Sequence, residues 1–387
     1  MSDVAARLAV TQRFMFVDSL RAIAVLLVVW GHVMLVGIND PATVHNWVPS
    51  VQSPIFGEAS IAENVHGKLG LIMALTFGVN PGGLGVALFF LISGFVIVQS
   101  VEKVSTKQFF VQRLFRIVPT CMVAVVFVAL ITQVFCYLTH TTQPNSLRGM
   151  FISSLAMNFY HGDFPTMPVL WTLEVEMTFY VFIAAMSVVL PSRLAGSGLL
   201  FCCLFCLLFV SVCASPLALS LAPSTVRLLN HWGSIFVHIS FMLIGSLIYR
   251  AYLSRAWISG LVSISVALLI YWLCLNIQLS ANSHREIGAS FTDGITALFL
   301  FVFGILTGLK TRWLRALRWV GGVSYPLYLL HVPIAWMLLV LGSYLGLGMN
   351  LSGFLSIVIV VFLSWGMHVT TELPMQDLGK RLAKSMI

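Results

Sequence analysis

Arg21 and His32 bracket ten mostly apolar residues in the stretch "RAIAVLLVVWGH". Eleven positions apart on a helix, they lie about 20° from a common face and about 16 Å apart along the axis. A guanidinium recognises phosphate or carboxylate, and an imidazole can take a proton from a hydroxyl near neutral pH. An ionisable residue inside a membrane span costs about 3 kcal/mol or more and usually faces a cavity or pathway. The two residues together therefore read as lining one elongated polar cavity. Asp18, three residues before Arg21, is placed to pair with it. Arg21 alone is also compatible with snorkelling to the inner surface, and His32 alone with a hydrogen-bonded structural role. Neither of these accounts for the shared face.

Two more segments carry ionisable residues into apolar surroundings. "LWTLEVEMTFY" holds Glu174 and Glu176, about 200° apart on a helix, so only one can face a given cavity. Glu176 shares its face with Thr172, Phe179 and Tyr180. Its expected depth, about 10 Å below the outer end of its span, is close to the depth of about 8 Å expected for His32. Glu176 is thus expected to orient the imidazole as a carboxylate does in a triad. The competing reading is a structural pairing with a neighbouring helix. "RLFRIVP" sets Arg113 and Arg116 at i and i+3 before Pro119, a spacing that can clamp a diphosphate. Basic residues at a cytoplasmic surface are also what positive-inside bias alone predicts.

The elements that must position these residues are membrane helices. Hydrophobic residues make up 59% of the 387 and charged residues 9%, with a mean hydropathy of +0.97. Soluble domains carry about 25% charged residues, so an ordinary globular protein is excluded. The pattern predicts an all-α polytopic membrane protein, one domain over 1–387, with about ten transmembrane helices. The expected spans are 16–37, 84–100, 117–138, 169–190, 197–214, 235–250, 256–277, 291–309, 322–343 and 351–371. With both termini inside, the cytoplasmic segments hold sixteen Lys and Arg residues. The outer segments hold four, Lys68, Arg148, Arg227 and Arg285. This bias predicts an N-in, C-in orientation and accounts for the net charge of +8 without nucleic acid.

The first apolar run is longer than a signal-peptide core, so no cleaved leader is expected. Cys203 and Cys206 form a CxxC in an apolar segment, where core packing is the expected role. Two outer connections stand out. "GLIMALTFGV" is too short to span and is expected to lie in the interface or re-enter. "MNFYHGDFPTMP" mixes aromatic and polar residues and reads as either a structured loop or a sugar-binding lip.

Together these pieces resemble the acyltransferase 3 family of integral membrane acyltransferases. The likeness rests on the R-x10-H of Arg21 and His32, "FFLISGF" at 89–95, and the R-x-x-R-x-x-P of Arg113, Arg116 and Pro119. It rests also on "WTLEVEMTFY" at 171–180, "SYPLYLLHVP" at 324–333 and the Glu-x-Pro of Glu372 to Pro374. The resemblance implies a ten-helix domain that takes an acyl group, usually acetyl, from cytoplasmic acyl-CoA to an acceptor hydroxyl. It carries over His32 as the base, Arg21 as a contact for the CoA moiety, and Arg113 and Arg116 as the site for its phosphates. Ser324 and Tyr325 join the donor-binding residues, and Glu176 and Glu174 complete the candidate catalytic set. No SGNH hydrolase domain is recognised, so transfer is expected to finish within the membrane domain.

The pantetheine arm is an extended chain on the order of the spacing of about 16 Å between Arg21 and His32. One helix would then measure the donor, anchored at one end and activated at the other. The sequence therefore predicts an O-acyltransferase of the bacterial inner membrane with acetyl-CoA as donor substrate and no permanently bound cofactor. Its partners would be the lipid bilayer and a carbohydrate or glycolipid acceptor. Direct attack by an activated hydroxyl is favoured over a transient acyl-histidine. The rival classes are a transporter or flippase, which would also need intramembrane charges, and a scaffold without chemistry.

Overall fold

The computed structural model describes residues 2–37, 78–141, 167–189, 196–281, 290–308 and 312–386, with a few isolated positions between them. The described residues form helices and no strands. In chain order these are α1 (Ser2–Trp30), α2 (Pro81–Lys103), α3 (Thr106–Thr139), α4 (Trp171–Val189), α5 (Gly196–Cys213) and α6 (Pro223–Ser254). There follow α7 (Trp257–Ala281), α8 (Phe291–Thr307), α9 (Arg312–Gly322), α10 (Ser324–Tyr344), α11 (Met349–Met367) and α12 (Leu373–Lys384). Half of "GLIMALTFGV" and most of "MNFYHGDFPTMP" lie outside the described residues.

Nine helical stretches among the described residues are long and apolar enough to cross a membrane. The expected span at 291–309 is the shorter apolar helix α8 of 17 residues, which reaches about 25 Å. Hydropathy marks only the apolar part of several helices. The span expected at 117–138 belongs to α3, which starts at Thr106 because Ser105 and Gln108 form a capping box there. Its first turns therefore carry the two arginines of "RLFRIVP" on helix. The expected last span, 351–371, runs on through the π-helical turn His368–Glu372 into α12. A second π-helical turn, Gly31–Val36, extends α1 and contains His32. Such turns occur frequently at functional sites.

α2 is the hub of the bundle. Small residues let backbones approach closely where lipid gives no hydrophobic drive between helices. A methyl group on Gly85 would strike the Ala24 carbonyl and Val28 of α1. Gly94 and Gly245 meet the facing backbones of α6 and α2 in the same way. The Ser246 hydroxyl donates to the Gly94 carbonyl at 2.9 Å across that contact. Phe16, Phe95 and Phe301 make edge-to-face contacts that tie α1, α2 and α8 together. α12 lies along the first half of α3, where Gln108 Nε2 donates to the Ala383 carbonyl at 2.9 Å. That contact braces the turns that carry Arg113 and Arg116. Outward faces such as Val126, Leu130 and Val134 of α3 remain exposed and apolar, as lipid-facing residues would be.

Candidate functional site

α1, α2, α3, α4 and α10 line a partly open cavity. One end is cationic. Arg21 of α1 and Arg113 and Arg116 of α3 line it, with Tyr180 and Glu176 of α4 and Ser324 and Tyr325 of α10. Arg21 Nη1 donates to Asp18 Oδ1 at 3.2 Å, the pairing expected from their spacing. Arg113 is held from several sides: its guanidinium lies 5.6 Å from the centroid of Phe109 and 5.4 Å from that of Tyr180. It also donates to Ser100 Oγ at 2.5 Å. Glu176 accepts from Ser93 Oγ at 3.3 Å and from the Tyr180 hydroxyl. Three guanidinium groups gather at this end, with Glu176 the carboxylate that lines it and Asp18 paired to Arg21, and guanidinium groups suit a phosphate-bearing ligand. Tyr325 donates to the Ile117 carbonyl at 2.8 Å, fixing α10 to α3 just before Pro119.

The other end is aromatic. Val86, Phe89 and Phe90 of α2, Thr172 and Leu173 of α4 and Tyr328 of α10 line it. The Tyr328 hydroxyl accepts from Thr172 Oγ1 at 2.8 Å and donates to the Val169 carbonyl at 3.3 Å. Its ring centroid is 5.9 Å from that of Phe89 and 5.5 Å from that of His331. His331 in turn packs edge-on against His32, with centroids 5.1 Å apart.

His32 sits one ring beyond this wall rather than on it. Its Nδ1 lies 2.9 Å from the Val28 carbonyl and 3.3 Å from His331 Nε2. A carbonyl can only accept, so Nδ1 carries the proton and Nε2 keeps its lone pair. The same logic holds at His331, whose Nδ1 faces the Tyr328 carbonyl at 2.7 Å. His331 Nε2 is therefore the acceptor toward His32. The His32 carbonyl accepts from Trp336 Nε1 at 3.0 Å and from the Gly37 amide that closes the π-helical turn.

The structure thus gathers Arg21, Arg113, Arg116, Glu176, Ser324 and Tyr325 around one cavity and sets His32 beyond its aromatic end. It does not join Glu176 to His32, since the described hydrogen bonds of Glu176 go to Ser93 and Tyr180. The residue against His32 is His331. Sequence reasoning quoted it inside "SYPLYLLHVP" without giving it a role. The available signal was a histidine inside an apolar span, three residues after Tyr328 and so on the same helix face. Glu174 turns away from the cavity and pairs with His231 Nε2 of α6 at 2.8 Å. No local pattern links those two residues, which are 57 positions apart. Cys203 and Cys206 are buried in α5 within the apolar core.

These helices and this chamber define a polytopic membrane protein with a charged interior, cationic at one end and aromatic at the other. A family model described as an acyltransferase domain, that of the acyltransferase 3 family, matches residues 15–369. The chain belongs to that family and is a multi-pass membrane acyltransferase. No curated protein and no solved structure matches it.

Proposed function

We propose that the protein moves an acyl group, acetyl in the favoured case, from cytoplasmic acyl-CoA to a hydroxyl of a cell-envelope glycan or glycolipid. The setting is the bacterial inner membrane with both termini inside. The observation that carries this reading is the polarity of the cavity. Three arginines line one end, and the aromatic wall at the other backs onto the imidazole of His32. CoA has the same polarity, with phosphates at its head and a neutral thioester at its tail. The positive-inside bias supports placing the arginine end toward the cytoplasm, where acyl-CoA is made.

In the proposed reaction His32 Nε2 accepts the proton of the acceptor hydroxyl while its oxygen attacks the thioester carbonyl carbon. The resulting imidazolium keeps its Nδ1–H on the Val28 carbonyl and His331 Nε2. The tetrahedral adduct then collapses, the C–S bond breaks, and His32 returns the proton to the departing thiolate. The products are an O-acyl ester and CoA thiol. Adding acetyl-CoA to membranes that contain the protein and its acceptor should release free thiol and leave acetyl groups on an envelope glycan, detected by mass spectrometry. Release of thiol with no acylated product would reduce the protein to a hydrolase. No release with any acyl-CoA would leave the transporter reading in its place.

A further inference from the structure

We infer that Asn80 and Asp293 form a positioning clamp that holds the start of α2 beneath the His32 ring; this rests on the reading of His32 as the base. The contact between α1 and α2 at this level is backbone on backbone. A methyl group on Gly31 would lie 2.8 Å from the Gly82 amide nitrogen, and one on Gly82 would lie 3.7 Å from His32 Cε1. Cε1 is the carbon between the two ring nitrogens. The first turn of α2 therefore forms the surface against which the reacting edge of the imidazole rests.

That first turn is fixed by two polar residues. Asn80 Oδ1 accepts from the Gly82 and Gly83 amides at 2.9 and 3.2 Å, capping α2. The Asn80 backbone N–H donates to Asp293 Oδ1 at 2.8 Å, 213 positions away in the chain. Asp293 Oδ2 is occupied on its own helix by the Ser290 amide at 3.0 Å and the Ser290 hydroxyl at 2.9 Å. Thr292 Oγ1 adds a second hold by donating to the Gly78 carbonyl at 2.5 Å. Gly78 has φ +62°, a conformation that favours glycine.

Asp293 is 2% exposed. A carboxylate buried in a membrane protein is costly unless its oxygens are paired, and such groups are rarely mere filling. Both of its oxygens are bonded, and one of those bonds leads directly to the cap under His32. The clamp also gives short α8 a task. Its N-terminus is pinned level with that of α2, so it serves as a strut for the site.

The test compares Asn80→Ala, Asn80→Asp and Asp293→Asn with wild type in membrane vesicles, following thiol release from acetyl-CoA at equal amounts of folded protein. A displacement of about 1 Å at a reacting group can cost about a hundredfold in rate. Asn80→Ala and Asp293→Asn are expected to lower kcat by about tenfold or more, with KM for acetyl-CoA unchanged. Asn80→Asp, an equally good cap, is expected to recover most of the loss. A merely structural role would lower the folded fraction or move KM and kcat together, and would overturn the inference. Wild-type kcat in Asn80→Ala would overturn it too. If that variant does not accumulate, Thr292→Val, altered at an exposed position, reads the same clamp. A fall in kcat at fixed KM supports the inference, and an unchanged kcat rejects it. Failure of the wild type to release thiol is a separate result that removes the acyl-transfer reading, and the clamp's role with it.

Discussion

His331 Nε2 lies 3.3 Å from His32 Nδ1, across the gap between α10 and the π-helical turn of α1. The position that a carboxylate holds in a serine-protease triad is held here by a second, neutral imidazole and a backbone carbonyl. Both accept from Nδ1–H, so both fix the tautomer and steady the imidazolium that forms during transfer.

His32→Ala should lower kcat by about 10²–10⁴-fold, the usual contribution of a general base, with insertion and donor binding intact. His331→Ala should cost about tenfold or more, because Nδ1–H keeps the Val28 carbonyl but loses its second acceptor. The double variant should be no slower than His32→Ala alone, since residues that act as a unit are not additive. Thiol release by the three purified variants decides this. More than a tenth of wild-type turnover in His32→Ala, or a further loss in the double variant, would separate the two histidines.

Arg113→Ala and Arg116→Ala should each weaken binding of CoA by about 1.5–3 kcal/mol, the worth of a charge-assisted hydrogen bond. Turnover at saturating donor should change much less. Arg113→Lys should not rescue, because lysine cannot keep the guanidinium contacts with Phe109, Tyr180 and Ser100 together. Titration with CoA measures all three. Unchanged affinity in the alanine variants would leave these arginines as topology signals only.

How far the site was legible in the sequence depended on the range of each interaction. The spacing of Arg21 and Asp18, the face shared by Thr172, Glu176 and Tyr180, and the opposed direction of Glu174 are properties of single helices. Each followed from 3.6 residues per turn. Which helices meet was not legible. Matching depths suggested that Glu176 would face His32, but depth fixes only one coordinate. The approach of α1 to α10 instead put His331 there. The partnership of Glu174 with His231 and the clamp from Asp293 to Asn80 depend on helix neighbours far apart in the chain. Helix ends were misplaced where polar caps, such as Ser105 with Gln108, lie outside the apolar run that hydropathy detects.

Glu176→Gln should strengthen CoA binding rather than abolish turnover. Glutamine keeps an oxygen to accept from Ser93 and Tyr180 but removes the one carboxylate that shares the cavity with three arginines. Its electrostatic opposition to phosphate is on the order of 1 kcal/mol, about fivefold in affinity. Competition between CoA and a labelled donor would measure the change. Weaker binding would show that Glu176 instead holds the arginines in the arrangement the ligand needs.

Glu174 and His231 provide the last comparison, because their pair lies off the cavity and should affect stability rather than chemistry. The side chains are 9% and 12% exposed, and Glu174 Oε2 has no hydrogen-bond partner among the described residues. Removing one member of a buried pair typically costs about 3–5 kcal/mol, largely from the desolvated group left behind. Glu174→Ala should therefore lower the thermal unfolding midpoint in detergent by several degrees, with kcat per folded molecule within about twofold of wild type. Glu174→Gln keeps an oxygen for His231 Nε2–H and loses a charge that is costly in the membrane, so its stability should lie within about 1 kcal/mol of wild type. A Glu174→Gln protein with an unchanged midpoint but more than tenfold lower kcat would move this carboxylate into the reaction. His231 would then be its partner in chemistry as well as in packing.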